Sequence, residues 1–278
     1  KGICWGYSPF PNVSTNSLSF GAGGFSFSST IPLNNVGIVR HIRAYARTAT
    51  GIYYSPNFSL VSIPGVRCPN IPTVTDIDGN TYYTVQIGSQ CWLQSNLKTT
   101  KLNDGTSLSF AESNLDWRNI SGKGYAIMDN NPINDDVYGK LYNIRAVFSQ
   151  PRNLCPVGWH VPTDNDWQVL FNSLGGTNLA GGPLKSTIVS PSIGGWSLPN
   201  LGATNSSGFM GLAGGMRWEN GNFDRLGSQG QFWSGDWGGS FGTCKILDKD
   251  LTSIWTSNFG FGPSYPNSSA NSVRCIKD

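Results

Sequence analysis

Six cysteines limit the folds open to this 278-residue chain more than any other feature of its sequence. None of them belongs to a C-x-x-C pair, so a zinc ribbon or a thioredoxin-type redox site is not expected. Because only two histidines accompany them, the chain has few side chains for metal or acid–base chemistry. Disulfide bonds are the better explanation, and they form in oxidising compartments such as the cell exterior. We therefore expect an extracellular protein stabilised by cross-links.

The residue composition favours strands and turns over helices. Charged residues make up 13% of the chain, against about 25% in a typical soluble domain. The 35 glycines, 16 prolines and 10 tryptophans supply turns and aromatic packing instead. We therefore predict a mainly β protein with few short helices, of the α+β class.

Charge and hydropathy argue against two kinds of partner. The net charge of +3 is small and scattered, whereas nucleic-acid binding needs a concentrated positive surface. No stretch approaches the roughly 20 apolar residues of a membrane-spanning helix. We expect neither a nucleic-acid partner nor a membrane span.

Residues 1–66 contain short alternating strands separated by turn residues. The apolar Ile42, Ala44 and Ala46 fall on one face of a strand, and Thr50-Gly51 predicts a hairpin turn after it. The blocks at 2–5 and 42–54 resemble a fibronectin type III-like module of Bacteroidetes surface proteins. The resemblance implies an Ig/fibronectin-like β-sandwich. Since the family's first strands precede the block at 2–5, we expect this sandwich to be incomplete.

An incomplete sandwich leaves two alternatives open. Either its first strands belong to a part of the protein outside this chain, or a neighbouring chain donates a strand to the open edge. Head-to-tail donation would build a filament, because a heterologous contact that does not close produces an open polymer. Self-association is therefore one expected kind of partnership.

Residues 67–72 predict a linker stiffened by two prolines, and residues 73–278 a second domain. Within that domain, Asp78-Gly79-Asn80 lies between alternating residues and predicts the turn of a β-hairpin. Further along, Thr163 or Asp164 is expected to cap the first turn of a short helix.

Five blocks of the second domain carry a specific resemblance. They lie at 76–97, 138–143, 155–167, 208–217 and 232–278, and the third begins with Cys155-Pro156. In this order they resemble the Fibrobacter succinogenes major paralogous domain, which is related to C-type-lectin-like folds and to formylglycine-generating enzymes. The resemblance implies a C-type-lectin-like fold. It also implies a secreted or surface-anchored bacterial protein, in a family without an established general activity.

The resemblance also suggests how the cysteines pair. The lectin-like fold suggests a disulfide between Cys155 and Cys275, and a Cys68–Cys91 bond would join the linker to the first hairpin. Three alternatives stay open for the other two cysteines: free thiols, an interdomain bridge, or a bond between subunits. These two are Cys4 and Cys244.

The loop at 129–136 is the candidate metal site. Its side chains carry many oxygen atoms, which are the ligands that calcium prefers. A solvated loop rich in turn-forming residues explains the same sequence. No cofactor other than calcium is expected. The candidate calcium ligands are Asp129, Asn131, Asn134, Asp135 and Asp136.

Aromatic residues stand out in the Gly-rich C-terminal part of the chain, and they allow two interpretations. Sugars stack on exposed aromatic faces, so four tryptophans are candidates for a carbohydrate site. Core packing explains the same residues, because a domain with few helices needs large side chains to fill its interior. The four candidates are Trp218, Trp233, Trp237 and Trp255.

His160 is the main candidate for an enzyme mechanism. A general base needs a nucleophile within reach, yet no G-x-S-x-G or Cys–His pattern accompanies His160. A buried histidine with one backbone partner is the simpler expectation. Formylglycine-generating enzymes use a cysteine pair, which we do not transfer to Cys244 and Cys275, since one of these is expected in a disulfide. We therefore predict no catalytic residue and no enzyme.

The sequence thus favours a non-enzymatic, extracellular bacterial surface protein with a structural or adhesive role. One version of this role is a filament subunit assembled by strand complementation. The expected partners are copies of the same chain and a glycan or a surface protein. The alternative function is a carbohydrate-binding module of a surface protein. An enzyme related to the formylglycine-generating enzymes ranks third.

Overall fold

The computed structural model describes residues 1–6, 10–14, 16–21, 39–61, 65–148, 150–237, 241–260 and 269–278. The chain divides into two units, Lys1–Ile63 and Pro64–Asp278. Residues 67–72, expected to form a linker, fall inside the second unit, where the preceding Val66 pairs with Gln86. As predicted, the protein is mainly β, and the described residues include five short helices.

The first unit forms a five-stranded antiparallel sheet in its described part. The strands are β1 (Gly2–Gly6), β2 (Asn16–Ser19), β3 (Val39–Thr48), β4 (Gly51–Tyr54) and β5 (Phe58–Val61). Their order is β2-β1-β3-β4, and β5 pairs with the first part of β3. The hairpin predicted at Thr50-Gly51 is present, since Thr48 pairs with Gly51. The expected sandwich stays a prediction, because residues 22–38 lie outside the described residues.

In strand β3 the buried side chain is that of Tyr45, and not those of Ala44 and Ala46, which the alternation of the sequence favoured. Tyr45 is only 5% exposed, whereas its neighbour Ala46 is exposed. The Tyr45 ring lies 6.4 Å from that of Tyr54, and across the sheet Tyr45 pairs with Gly2. A Cβ at Gly2 would lie 2.6 Å from the tyrosine ring, so a glycine is needed where the ring crosses β1.

The second unit contains fourteen strands and five helices within its described residues. The strands are β6 (Thr73–Thr75), β7 (Thr81–Ile87), β8 (Gln90–Leu93), β9 (Ser109–Phe110), β10 (Gly124–Ile127), β11 (Lys140–Asn143), β12 (Trp159–His160), β13 (Gly214–Arg217), β14 (Phe223–Leu226), β15 (Gln229–Trp237), β16 (Phe241–Asp248), β17 (Trp255–Gly260), β18 (Ala270–Ser272) and β19 (Ile276–Lys277). The helices are α1 (Asn114–Asn119), α2 (Pro132–Tyr138), α3 (Ile144–Phe148), α4 (Asp164–Ser173) and α5 (Gly181–Leu184), with a 3-10 turn at Met128–Asn130.

These strands build two sheets that the C-terminal segment joins. One sheet has the order β17-β16-β15-β13-β18-β11-β10-β9, with β14 paired to β13. The other has the order β12-β19-β8-β7-β6. Because β18 lies in the first sheet and β19 in the second, the last residues of the chain pass from one sheet to the other. The three residues between these strands, 273–275, are at most 1% exposed.

Two local predictions are confirmed by hydrogen bonds. Helix α4 begins with a capping box, in which the Thr163 side chain accepts from the backbone of Asp166 and Asp166 caps Thr163 in return. At the hairpin between β6 and β7, Asp76 Oδ1 accepts from the backbone nitrogens of Asp78 and Asn80, both at 3.0 Å. This geometry is a turn stabilised by the Asp76 side chain, at the hairpin that Asp78-Gly79-Asn80 predicts.

Arg274 lies in the buried crossing between the two sheets. Its guanidinium donates to the carbonyls of Leu93 and Phe209 and to Asn96 Oδ1, the last at 2.6 Å, and it lies 4.2 Å from the Phe209 ring centroid. No carboxylate partners it among the described residues. Burial therefore lowers the pKa of Arg274 to about 9.

Replacing Arg274 tests how much the crossing contributes to stability. Arg274→Met would leave two carbonyls and an amide oxygen buried without donors, and we expect a loss of about 3–5 kcal/mol in unfolding free energy. The matched control is Lys249→Met, which breaks only a surface pair with Asp250 and should cost about 1 kcal/mol or less. Denaturant unfolding measures both, and equal losses in the two variants would contradict the role given to Arg274.

Candidate functional site

The strand register places four side chains in a row on one face of the larger sheet. Met216 of β13 and Gln231 of β15 each follow the paired glycines of these parallel strands. Gln231 pairs with Ile246 of β16, and Ile246 pairs with Trp255 of β17. Because directly paired residues point to the same face of a sheet, the row crosses four strands on a single surface.

A pocket of about 500 Å³ lies over this row. All four residues of the row line it, together with Trp218 and Phe259. Trp255 is 40% exposed, whereas Phe259 is 9% exposed and its ring centroid lies 6.3 Å from that of Trp218. The pocket therefore presents one exposed and one half-buried indole to a ligand, and its volume suits a small molecule.

The Trp218 indole is fixed by its own hairpin between β13 and β14. Its Nε1 donates to Asp224 Oδ2 at 3.2 Å, and the same carboxylate oxygen lies 3.4 Å from Arg225 Nε. The turn closes through Gly221, whose φ of +92° favours glycine and whose Cβ would lie 2.6 Å from Asn114. With its N–H already bonded, Trp218 can offer a ligand only its ring.

A chain of amide hydrogen bonds runs along the floor of the pocket. Asp248 Oδ2 accepts from Gln229 Nε2 at 2.7 Å, and Gln229 Oε1 accepts from Gln231 Nε2 at 2.8 Å. The carboxylate can only accept, so it fixes the direction of both amides. Gln231 Oε1 is consequently left as an acceptor, and it is buried without a donor among the described residues.

Three further polar side chains of the pocket have no partner in the described part of the chain. Glu219 and Asn258 are exposed, and Ser257 is half-buried. None of these side chains makes a hydrogen bond or an ion pair with another described residue. The pocket thus combines aromatic surface with unengaged hydrogen-bonding groups, which is the lining that fixes and orients a small polar ligand.

The four tryptophans predicted as sugar-stacking residues divide into separate groups. Trp218 and Trp255 line the pocket. Trp233 was wrongly assigned to the site: it is 0% exposed, its Nε1 donates to Tyr142 O at 2.7 Å, and its ring packs against Phe148. Trp233 belongs to the core, as the alternative interpretation holds. The Trp237 side chain lies outside the described part of the structure.

The polar floor of the pocket was not predicted from the sequence. Gln229, Gln231 and Trp233 alternate along β15, so their period of two was a signal that they share a face. Nothing local in the sequence places Phe259 and Arg225 at the same pocket.

The predicted calcium ligands do not come together as a site. Asn131 caps helix α2 by accepting from Ile133 N, and Asn134 Nδ2 donates to Met128 O. Asp135 forms an ion pair with Lys140 at 2.8 Å. Asp129 lies in the 3-10 turn, and Asp136 contributes only its backbone carbonyl to Lys98. Among the described residues no group of three or more histidine, cysteine or acidic side chains is arranged to hold a metal.

The physical reason for this correction is local. Asn131-Pro132 begins a helix, because asparagine is a favourable N-cap and proline fits the first helical position. The segment expected to be a loop is therefore partly helical, and its oxygen atoms are used in the cap and the ion pair.

The structure contains two disulfide bonds. Cys68 is bonded to Cys91, and Cys155 to Cys275, which are the two pairs expected from the sequence. Cys4 and Cys244 are free thiols in this chain, which is one of the three alternatives considered for them. Both are free and 0% exposed, and burial raises the pKa of each thiol.

His160 connects Asp278 to the start of helix α4. Its Nδ1 lies 2.7 Å from Asp278 Oδ1, and its Nε2 lies 3.1 Å from Asp166 Oδ2. The expected single backbone partner is thus replaced by two carboxylates. Partial burial disfavours the charged imidazolium, but the hydrogen bonds and charges of Asp278 and Asp166 outweigh it and raise the pKa of His160. We call these two contacts, from His160 to Asp278 and to Asp166, the His160 clamp.

The fold and the pocket define a mainly β, disulfide-bonded protein with a ligand-sized pocket on a sheet face. Residues 85–277 match the Fibrobacter succinogenes major domain, and the chain belongs to this family. No curated protein and no solved structure matches the chain, so the C-type-lectin-like fold implied by resemblance stays a prediction. None of the helices in the described segments has the length and apolar character needed to cross a membrane.

The His160 clamp makes stability depend on pH. Its stabilisation is fully present below the unfolded histidine pKa of about 6.5 and is lost as pH rises through the raised pKa of the folded state. Because the side chain is 38% exposed, solvent screening limits the change to about 1 kcal/mol or less. Urea midpoints measured on both sides of neutral pH should show this loss in the parent and not in His160→Gln. A His41→Gln control should keep it, and an unaltered pH dependence in His160→Gln would contradict the clamp.

Proposed function

We propose that this chain is the adhesive part of a non-enzymatic extracellular bacterial surface protein, and that the pocket over β13, β15, β16 and β17 binds carbohydrate. The observation that carries the proposal is the pairing of Trp255 and Trp218 with unengaged polar side chains in one open pocket. Sugar rings pack their apolar faces on indoles while their hydroxyls bond to amides and carboxylates. This favours the carbohydrate-binding form of the adhesive role.

The cysteines support both the location and the absence of catalysis in this proposal. Two disulfides are compatible with an oxidising compartment outside the cell. An oxidation of the formylglycine-generating kind needs two available thiols. Cys275 is bonded to Cys155, and Cys244 is buried with a raised pKa, so neither supports that chemistry.

Trp255 provides the test of carbohydrate binding. We expect the full chain to bind a subset of an array of bacterial and host glycans, and Trp255→Ala to weaken that binding about tenfold by removing a stacking surface. The matched control is Phe110→Ala, which removes a 45% exposed aromatic of the same sheet outside the pocket and should bind as the parent does. The proposal fails if no glycan binds, or if Trp255→Ala binds as tightly as the control. Capture of a surface protein without its glycans would favour a protein ligand instead.

A second role, as a filament subunit, is supported by the first unit. Strand β2 ends the described sheet, so its outer backbone groups face no described strand and suit addition of a strand from a neighbour. For this role we expect concentration-dependent polymers in electron microscopy. Replacing Ser17 and Ser19 of β2 by proline should abolish them, because proline donates no hydrogen bond. A chain that stays monomeric at high concentration would contradict the filament role and leave the pocket unaffected.

A further inference from the structure

The charges around the pocket have the opposite sign to the chain as a whole. Glu219 and Arg225 line it, Asp224 contacts both Arg225 and Trp218, and Asp248 holds the amide chain of the floor. Only Glu219 and Arg225 line the pocket themselves, while Asp224 and Asp248 contact lining residues; together the four groups carry three negative charges and one positive, in a chain whose net charge is +3. Residues 238–240 and 261–268, which flank β15–β17 in sequence, contain no charged residue. The local potential is accordingly negative.

The positive charge of the pocket is already engaged, and one negative charge is not. Arg225 Nε lies 3.4 Å from the Asp224 carboxylate, and the guanidinium is half-exposed. Glu219 is exposed and has no ion pair or hydrogen bond with any other described residue. A ligand entering the pocket therefore meets the unpaired carboxylate of Glu219 and the guanidinium of Arg225, which already contacts the Asp224 carboxylate.

Two hydrogen-bonding groups of the pocket can act only as acceptors. Glu219 only accepts, and the direction of the Asp248–Gln229–Gln231 chain leaves Gln231 Oε1 as an acceptor without a donor among the described residues. Ser257 and Asn258 can donate as well as accept, so the group that distinguishes neutral from acidic ligands is the unpaired negative charge of Glu219. Sugar hydroxyls donate, whereas an ionised carboxylate or sulfate brings only acceptors and a like charge.

We propose that the pocket selects uncharged, hydroxyl-rich sugar rings, and that Glu219 is a specificity-determining residue that excludes their acidic counterparts. This inference rests on the proposed carbohydrate binding, and it adds the class of sugar and the residue that selects it. Glu219 repels a carboxylated ring through its charge and accepts from the hydroxyls of a neutral one. The effect is electrostatic, so it weakens as salt screens the exposed charge.

The test compares neutral oligosaccharides of glucose or galactose with the matching glucuronic or galacturonic acid oligosaccharides. Titration calorimetry on the full chain at low ionic strength should give the neutral sugar about tenfold or tighter binding than its acidic twin. Glu219→Gln should reduce this difference in affinity about three- to tenfold. The reason is that removing one nearby negative charge improves binding of the acidic sugar. Raising the salt concentration should also reduce the difference in affinity between the neutral and the acidic sugar in the parent protein.

Glu112→Gln is the matched control, because Glu112 is exposed, does not line the pocket and is the chain's other glutamate. It should leave this difference in affinity as in the parent. An acidic sugar that binds as tightly as its neutral twin overturns the selectivity while the proposed carbohydrate binding stands. A difference in affinity that persists unchanged in Glu219→Gln overturns the role of this residue. If neither sugar class binds, both the selectivity and the proposed function are overturned.

Discussion

The buried crossing of the C-terminal segment is the constraint on which the second unit depends. Ser272 pairs with the larger sheet and Ile276 with the smaller one, so the residues between them pass through the interior. Arg274 brings a charge into that interior, which is tolerated only where backbone carbonyls and Asn96 satisfy its donors. The neighbouring Cys275 is fixed by its disulfide. A shift of this segment by one residue would break both interactions at once, so they specify a single register.

That register also positions the pocket. Strand β18 lies beside β13 and β15, and Phe232 pairs directly with Ser272. Once β15 is fixed, its alternation sends Gln231 to the pocket floor while the next residue on that face, Trp233, is covered by Phe148 and becomes core. Pocket floor and core are therefore consecutive positions on one face of one strand. The register of the C-terminal segment therefore determines both the buried crossing and the geometry of the pocket.

Local chemistry made part of this structure predictable from the sequence. The Thr163 cap and the Asp76 turn depend on residues within four positions of each other, and the structure has both. The exposure of tryptophans was not predictable in this way, because Trp233 and Trp255 have similar immediate neighbours, an apolar residue before each and a hydroxyl residue after it. Only the long-range pairing of β15, β16 and β17 decides which of them is covered. The loop at 129–136 is a different case, since Asn131-Pro132 is a local helix-start signal, and the same oxygen atoms that suggested a calcium site serve the helix cap and an ion pair.

Indole N–H signals in NMR provide the most direct measurement of where a ligand binds. Titration with a neutral oligosaccharide should shift the signals of Trp218 and Trp255, because these two line the pocket. The signals of the fully buried Trp92, Trp117 and Trp196 should stay in place. Saturable shifts confined to the two pocket indoles are the result expected here. Saturable binding that leaves both pocket signals unmoved would contradict the assignment of this pocket as the carbohydrate site.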